Sequence, residues 1–169
     1  HSNELVTKAE SYVEAIKKNL IQIDSNGKFN INMKYFDFAH TDHMTNDRIN
    51  SVLEGSPREK ESLLTQREMD IAKSIQVVTE EVMFKLAQYA KEKTGSQNLC
   101  LAGGVALNCV SNGKIFSSGL FKDMWIQPAA GDAGGALGAA LVYYYHDLNK
   151  TRKTLPAGSL DGMRGSYLG

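Results

Sequence analysis

The sequence carries no surplus of either charge. Its 19 lysines and arginines are matched by 19 aspartates and glutamates over 169 residues, so no global field draws the chain onto nucleic acid or an acidic membrane. A small anionic ligand would have to be held by local donors. No apolar run approaches the roughly 20 residues that span a bilayer, and His1-Ser2-Asn3-Glu4 does not open a signal peptide. We therefore expect a cytoplasmic protein with no membrane partner. Only two cysteines are present, Cys100 and Cys109. Without a histidine at matching spacing they make no zinc site, and they are expected to be small buried thiols. Also missing are the Gly-Lys-Ser/Thr ending of a Walker loop, a Gly-x-Gly-x-x-Gly fingerprint, a serine nucleophile elbow and a recognisable Cys-His pair. The initiator methionine is absent too, and the chain reads as a piece of a longer protein.

What is present is a hydrophobic share of 42%, enough for one domain with its own core. Glu4 to Leu20 spaces Leu5, Ala9, Tyr12 or Val13 and Ile16 along one helical face. Ile21 to Met33 alternates apolar and polar residues on both sides of Asn26-Gly27, a hairpin signal in which both central residues tolerate positive φ. Tyr35 to Phe38 is expected to be a further strand or the entry to a loop, and Ala39 to Leu64 a loop with short helical pieces. His40 and His43, beside Asp37 and Asp42, read as surface or hydrogen-bonded histidines. Thr65-Gln66-Arg67-Glu68 is a capping box that should start a long helix, with Gly95 as its stop. The stripe Ile71, Ile75, Val78, Val82, Leu86 and Tyr89 or Ala90 on that helix is expected to pack against a sheet.

The centre of the sequence follows. Asn98 to Leu101 is expected to be a buried strand that ends in Gly103-Gly104 and gives way to a helix expected from Val105 to Phe116. The same logic recurs from Asp123 to Gln127, through the turn Ala129-Ala130-Gly131, into a helix from Asp132 to about His146. Alternating strand and helix argues for a parallel portion of sheet, and the upstream hairpin would make that sheet mixed. Residues 1–150 are then one globular piece and 151–169 a linker.

Two glycine turns at strand ends make a nucleotide or phosphate site the default reading. Gly103 and Gly104 lack the Cβ that would hold a ligand away, and the amides and positive end of the following helix would face it. Asn108, one turn into that helix, offers both donor and acceptor. Asp132 has two readings: N-cap of the last helix, or a carboxylate holding a cation against phosphate oxygens at a strand's carboxyl end. Gly134, Gly135 and Gly138 each cost about 1 kcal/mol of helix propensity relative to Ala, so close approach of a ligand or helix is needed to explain them.

The text Leu101-Ala-Gly-Gly-Val-Ala-Leu-Asn108 and Ile126-Gln-Pro-Ala-Ala-Gly-Asp-Ala-Gly-Gly-Ala-Leu-Gly-Ala-Ala140 resembles the carbamoyltransferases of nodulation-factor and antibiotic-tailoring type. Leu64 to Arg67, Asp70 to Gln76 and Thr79 to Val82 resemble the helix that precedes these segments. The likeness runs from about Phe29 to Leu141. It implies an α/β fold, a mixed sheet with helices on both faces, forming the second ribonuclease-H-like half of an actin-like ATPase and sugar-kinase superfamily domain. It also implies a missing first half, and, after the linker, an absent C-terminal domain that makes carbamoyl-adenylate from carbamoyl phosphate and ATP. Gly103, Gly104 and Asn108 match the family's adenosine-and-phosphate segment, Gly134 and Gly135 its second glycine contact, and Asp132 its aspartate for an iron-type metal. The remaining metal ligands belong to the missing half, and no catalytic residue is assigned within this chain.

The expected activity is O-carbamoyl transfer to a small-molecule hydroxyl acceptor by the full-length protein, the fragment alone being inactive. Competing readings are a threonylcarbamoyl transferase acting on transfer RNA, a kinase or ATPase of the same superfamily, and a non-catalytic nucleotide-binding module. The balanced charge speaks against a nucleic-acid partner.

Overall fold

A computed structural model describes residues 9–156 and Ser159. The chain divides into two compact units, His1–Gly95 and Ser96–Gly169, each built around its own secondary structure.

In the first unit, helix α1 (Ala9–Asn19) buries Tyr12 and Ile16; the expected start at Glu4 lies outside the described residues. The chain reverses through β1 (Ile21–Ile23) and β2 (Phe29–Ile31), an antiparallel pair with Ile23 opposite Phe29. The hairpin is as expected, but its turn differs. Only Gly27 has positive φ, at 78°. The Asp24 amide donates to the Lys28 carbonyl at 2.9 Å and the Gly27 amide to the Asp24 carbonyl at 3.2 Å, giving a three-residue loop closed by a left-handed glycine rather than a two-residue Asn-Gly turn. A Cβ at Gly27 would lie 2.7 Å from the Leu86 backbone nitrogen, so this glycine also lets the turn rest on the long helix.

A 3₁₀ turn at Met33–Tyr35 and a loop with one short helix, α2 (Ile49–Val52), lead to α3 (Gln66–Thr94). The capping box forms: the Thr65 amide donates to the Glu68 carboxylate at 2.9 Å, and Gly95 ends the helix at φ 64°. The Thr65 bonds hold the Glu68 carboxyl below its ordinary range. Beside it, the Arg67 guanidinium donates to the carbonyls of Leu53, Gly55 and Ser56 at 2.8, 2.6 and 3.1 Å, tying the loop to the helix start.

The core of this unit is Ile16, Leu20, Tyr35, Val52 and Val78, side chains whose full burial stabilises by about 1.5–3 kcal/mol each. Helix α3 meets α1 here rather than a sheet. Its buried face carries Asp70, Ser74 and Val78, with the Ser74 hydroxyl donating to the Ala9 carbonyl at 2.8 Å. Of the expected stripe, Val78 is buried while Ile75, Leu86 and Tyr89 are exposed. The packing partner is a helix, and a helix covers a narrower strip than a sheet does.

In the second unit, β3 (Asn98–Leu101) and β4 (Asp123–Ile126) pair in parallel, Leu101 opposite Ile126. The fold is therefore mixed α/β, but the hairpin and the parallel pair form two separate two-stranded sheets among the described residues instead of one mixed sheet. Nor is β3 a buried strand: it alternates exposed and half-buried residues. Cys100, on its exposed side, and Cys109 are both exposed free thiols, Cys100 because so narrow a sheet leaves an uncovered face. Between the strands lies α4 (Cys109–Ser117), and after β4 comes α5 (Gly134–Val142). Helix α5 runs into one π-helical turn, Tyr143–Asp147. Thr151 to Pro156 has no regular structure and is exposed; the rest of the expected linker, apart from Ser159, lies outside the described residues.

Candidate functional site

The two glycine turns leave adjacent parallel strands at the same end, and the structure joins them directly. The Gly103 amide donates to the Ala130 carbonyl at 2.7 Å, and a Cβ on Gly131 would lie 3.8 Å from the Gly104 Cα. Ala130 and Ala106 are buried beneath this junction, at 7% and 4% exposure. Gly103 has φ 101°, a backbone that L side chains rarely adopt, so glycine is required there by conformation. Sequence separation alone did not foretell the bond between the turns. The parallel register brings it about.

Beyond Gly103 the backbone does not enter an α-helix at once. Gly104–Leu107 forms a 3₁₀ turn, and α4 begins only at Cys109. Asn108 is thus the N-cap of α4 and not a residue one turn inside it: its Oδ1 accepts from the Ser111 amide at 3.0 Å. Helix capping occupies the acceptor that the sequence offered to a ligand. One turn on, the buried Asn112 donates its side-chain amide to the Ala106 carbonyl at 2.7 Å and holds the 3₁₀ turn against the helix.

The second turn is set by Gln127, whose side-chain oxygen accepts from the Ala129 amide. That contact was not anticipated; the only signal for it is a glutamine immediately before Pro128 at a strand end. A Cβ on Gly134 would collide with the Ala129 carbonyl oxygen, so close backbone approach explains this glycine. It does not explain Gly135 or Gly138, beside which nothing lies within 4 Å. The expected N-cap role of Asp132 fails: the N-cap of α5 is Ala133, with no side-chain cap. The Gly134 and Gly135 amides instead donate to the carbonyls of Gly131 and Asp132, both at 3.0 Å. These backbone turns satisfy the helix start, and they leave the exposed Asp132 side chain with its other reading.

Ala102, Gln127, Ala129 to Gly131, Gly134, Gly135 and Gly138 line a cavity of about 340 Å³ with Leu137 and Leu141. The size lies within the range of small-ligand sites, and an apolar lining with few polar groups is the usual character of such sites. Of the residues singled out by sequence, Gly134, Gly135 and Gly138 line it, while Gly103, Gly104, Asn108 and Asp132 stand in the adjoining turns. The amides of Gly103, Gly134 and Gly135 are engaged within the chain, so these glycines supply shape rather than donors.

Among the described residues no group of three His, Cys, Asp or Glu side chains is placed to hold a metal. Asp132 brings one carboxylate, too few donors for a site made by this chain's described residues alone. His40 and His43 are exposed, 3.8 Å from Asp37 and 3.4 Å from Asp42 respectively, in keeping with surface histidines. No described helix is long and apolar enough to cross a membrane.

Comparison with known proteins matches residues 4–141 to the family model described as carbamoyltransferase N-terminus. An uncharacterised protein of Synechocystis sp. is 51% identical over 158 residues, covering 94% of this chain and 25% of that protein. The nodulation protein NolO of Bradyrhizobium diazoefficiens is 49% identical over 85 residues, 50% of this chain and 16% of its own length. The nodulation protein NolNO of Sinorhizobium fredii is 47% identical over 98 residues, 57% of this chain and 14% of its own. The chain spans a quarter or less of these relatives.

Proposed function

This chain belongs to the carbamoyltransferase N-terminal family, and from that premise we propose that it is the nucleotide-holding part of a larger O-carbamoyltransferase. The observation that carries the reading is the bond from the Gly103 amide to the Ala130 carbonyl, which makes one site of two glycine turns beside the cavity. The apolar floor of Ala129, Ala130, Gly134, Gly135 and Gly138 suits the flat adenosine part of a nucleotide. Gln127 adds an amide at its edge, and the positive dipole end of α5 favours negative charge without donating its first amides.

In this reading ATP and carbamoyl phosphate give a carbamoyl-adenylate, with release of pyrophosphate from ATP and inorganic phosphate from carbamoyl phosphate, in a C-terminal domain joined through the segment 151–169. The adenylate is then held at the turns, within a ribonuclease-H-like half of an actin-like domain. The oxygen of a hydroxyl acceptor attacks the carbamoyl carbon, the bond from that carbon to the phosphate oxygen breaks, and AMP leaves. The chain's own contribution is to bind and orient the adenosine end so that the carbonyl faces the acceptor. Asp132 would supply one ligand to an iron-type metal whose other donors come from the missing half. A single exposed carboxylate does not make that site, and no step is assigned to the metal.

The test is to incubate the full-length polypeptide with ATP and carbamoyl phosphate and identify the nucleotide products. AMP and pyrophosphate, formed only when carbamoyl phosphate is present, are expected. ADP would instead indicate a kinase or ATPase, and nucleotide binding without turnover a non-catalytic module.

A further inference from the structure

Helix α5 ends in the π-helical turn Tyr143–Asp147, and Asn149, at φ 49°, turns the chain back beside it. The Leu148 and Lys150 amides donate to the carbonyls of Tyr143 and Tyr144 at 3.0 and 3.3 Å. Against this reversal lies a second cavity, of about 450 Å³, lined by Leu141, Val142, Tyr145, His146, Lys150 and Arg152. Of these residues only Leu141 also lines the cavity at the glycine turns. No acidic residue lines it; Asp147, the one carboxylate between Gly134 and Pro156, is outside the lining. A helix dipole by itself favours cations at the C-terminal end, which accounts for His146 in the last turn. Lys150 and Arg152 lie beyond that turn, and the Tyr143 and Tyr144 carbonyls already accept from the backbone. Among the described residues His146, Lys150 and Arg152 have no ion pair or side-chain hydrogen bond. A hollow with an apolar wall and a few convergent polar groups is the usual form of a small-ligand site.

We propose that this cavity binds the phosphate group of a small organic phosphate other than the nucleotide. Arg152 brings the paired N–H donors that match phosphate oxygens, and Lys150 a point charge. His146 and Tyr145 each add a donor from the helix side. Two permanent positive charges suit a phosphate monoester dianion, whereas a carboxylate has half the charge and two oxygens in place of three. Leu141, Val142 and the Tyr145 ring then face the organic part, which inorganic phosphate lacks. The nucleotide assigned above occupies the other cavity, so this ligand is a second one, and its site stands whether or not the nucleotide reading does.

Acetylation of lysines in the full-length polypeptide, read by mass spectrometry, tests this without reference to turnover. At constant ionic strength, saturating phenyl phosphate is expected to slow the acetylation of Lys150 at least about fivefold, because the bound ammonium is held in a charge-assisted hydrogen bond. Lys122, exposed just before β4, should react as before. Inorganic phosphate, without the ring, and benzoate, with half the charge, should each need at least about tenfold higher concentration for the same protection. Arg152→Gln, in an exposed segment without regular structure, should raise the phenyl phosphate concentration required by about tenfold or more. Unchanged acetylation of Lys150, or equal slowing of Lys122, overturns the proposal. So does a Lys150 that is unreactive before ligand is added, since another part of the protein then fills the cavity. Equal protection by inorganic phosphate or benzoate overturns the ligand class, and undiminished protection in Arg152→Gln overturns the site. Protection by ATP with none by phenyl phosphate would give the cavity to the nucleotide's own phosphates and overturn the second ligand.

Discussion

At the scale of single residues, glycines that look alike in the sequence do different work. Gly134 is pressed against the Ala129 carbonyl oxygen and Gly135 faces open space. Gly134→Ala is expected to destabilise the protein by about 1–3 kcal/mol through overpacking, whereas Gly135→Ala should stabilise it by up to about 1 kcal/mol through helix propensity. Urea unfolding of both variants checks this, and equal effects would contradict the assignment. Gly135→Ala should also weaken nucleotide binding by the full-length protein, since the added methyl enters the cavity. Asn108→Ala removes a helix cap and should cost about 1 kcal/mol whether or not nucleotide is bound. Asp132→Ala, which removes no cap, should leave stability unchanged and lower the metal content of the full-length enzyme. Unchanged metal content would remove its proposed role. The sequence made Asn108 and Asp132 visible as polar residues near turns, but which of them capped a helix depended on where each helix began. A 3₁₀ turn moved one start to Cys109, and a backbone turn moved the other to Gly134.

At the scale of elements, what was legible was what neighbouring residues decide. The capping box at Thr65 and Glu68, the stop at Gly95, the hairpin around Gly27 and the two parallel strands are local or short-range signals, and they appear where the sequence placed them. What covers each element is a long-range matter. Ile75, Leu86 and Tyr89 of the α3 stripe and the thiols Cys100 and Cys109 were read as buried, and their exposure follows from partners that local periodicity does not specify. One long-range contact on α3 is measurable. Glu81 lies 2.7 Å from Lys17 on α1 and 2.8 Å from Lys85, and these hydrogen bonds, Lys17 first, hold its carboxyl below the ordinary value of 4.5. A carboxyl lowered on folding contributes stability above its unfolded value and loses it as pH falls through the folded one. Glu81→Gln should therefore cost about 0.5 kcal/mol at neutral pH, and the gap from wild type should close as the pH falls below 4.5. A gap that persists in acid would mean that packing, not charge, holds α1 to α3.

At the scale of the whole molecule, the chain belongs to the carbamoyltransferase N-terminal family, and its second unit gathers two strand ends, two glycine turns and a cavity in one place. Family membership rests on the match across residues 4–141, and the nucleotide reading on the joined turns. The most direct test of that reading is photolabelling of the full-length polypeptide with an azido analogue of ATP, followed by mapping of the modified peptide. Label within residues 99–112 or 127–138, displaced by unmodified ATP, is the predicted result. Displaceable label found only outside these two segments would contradict the account.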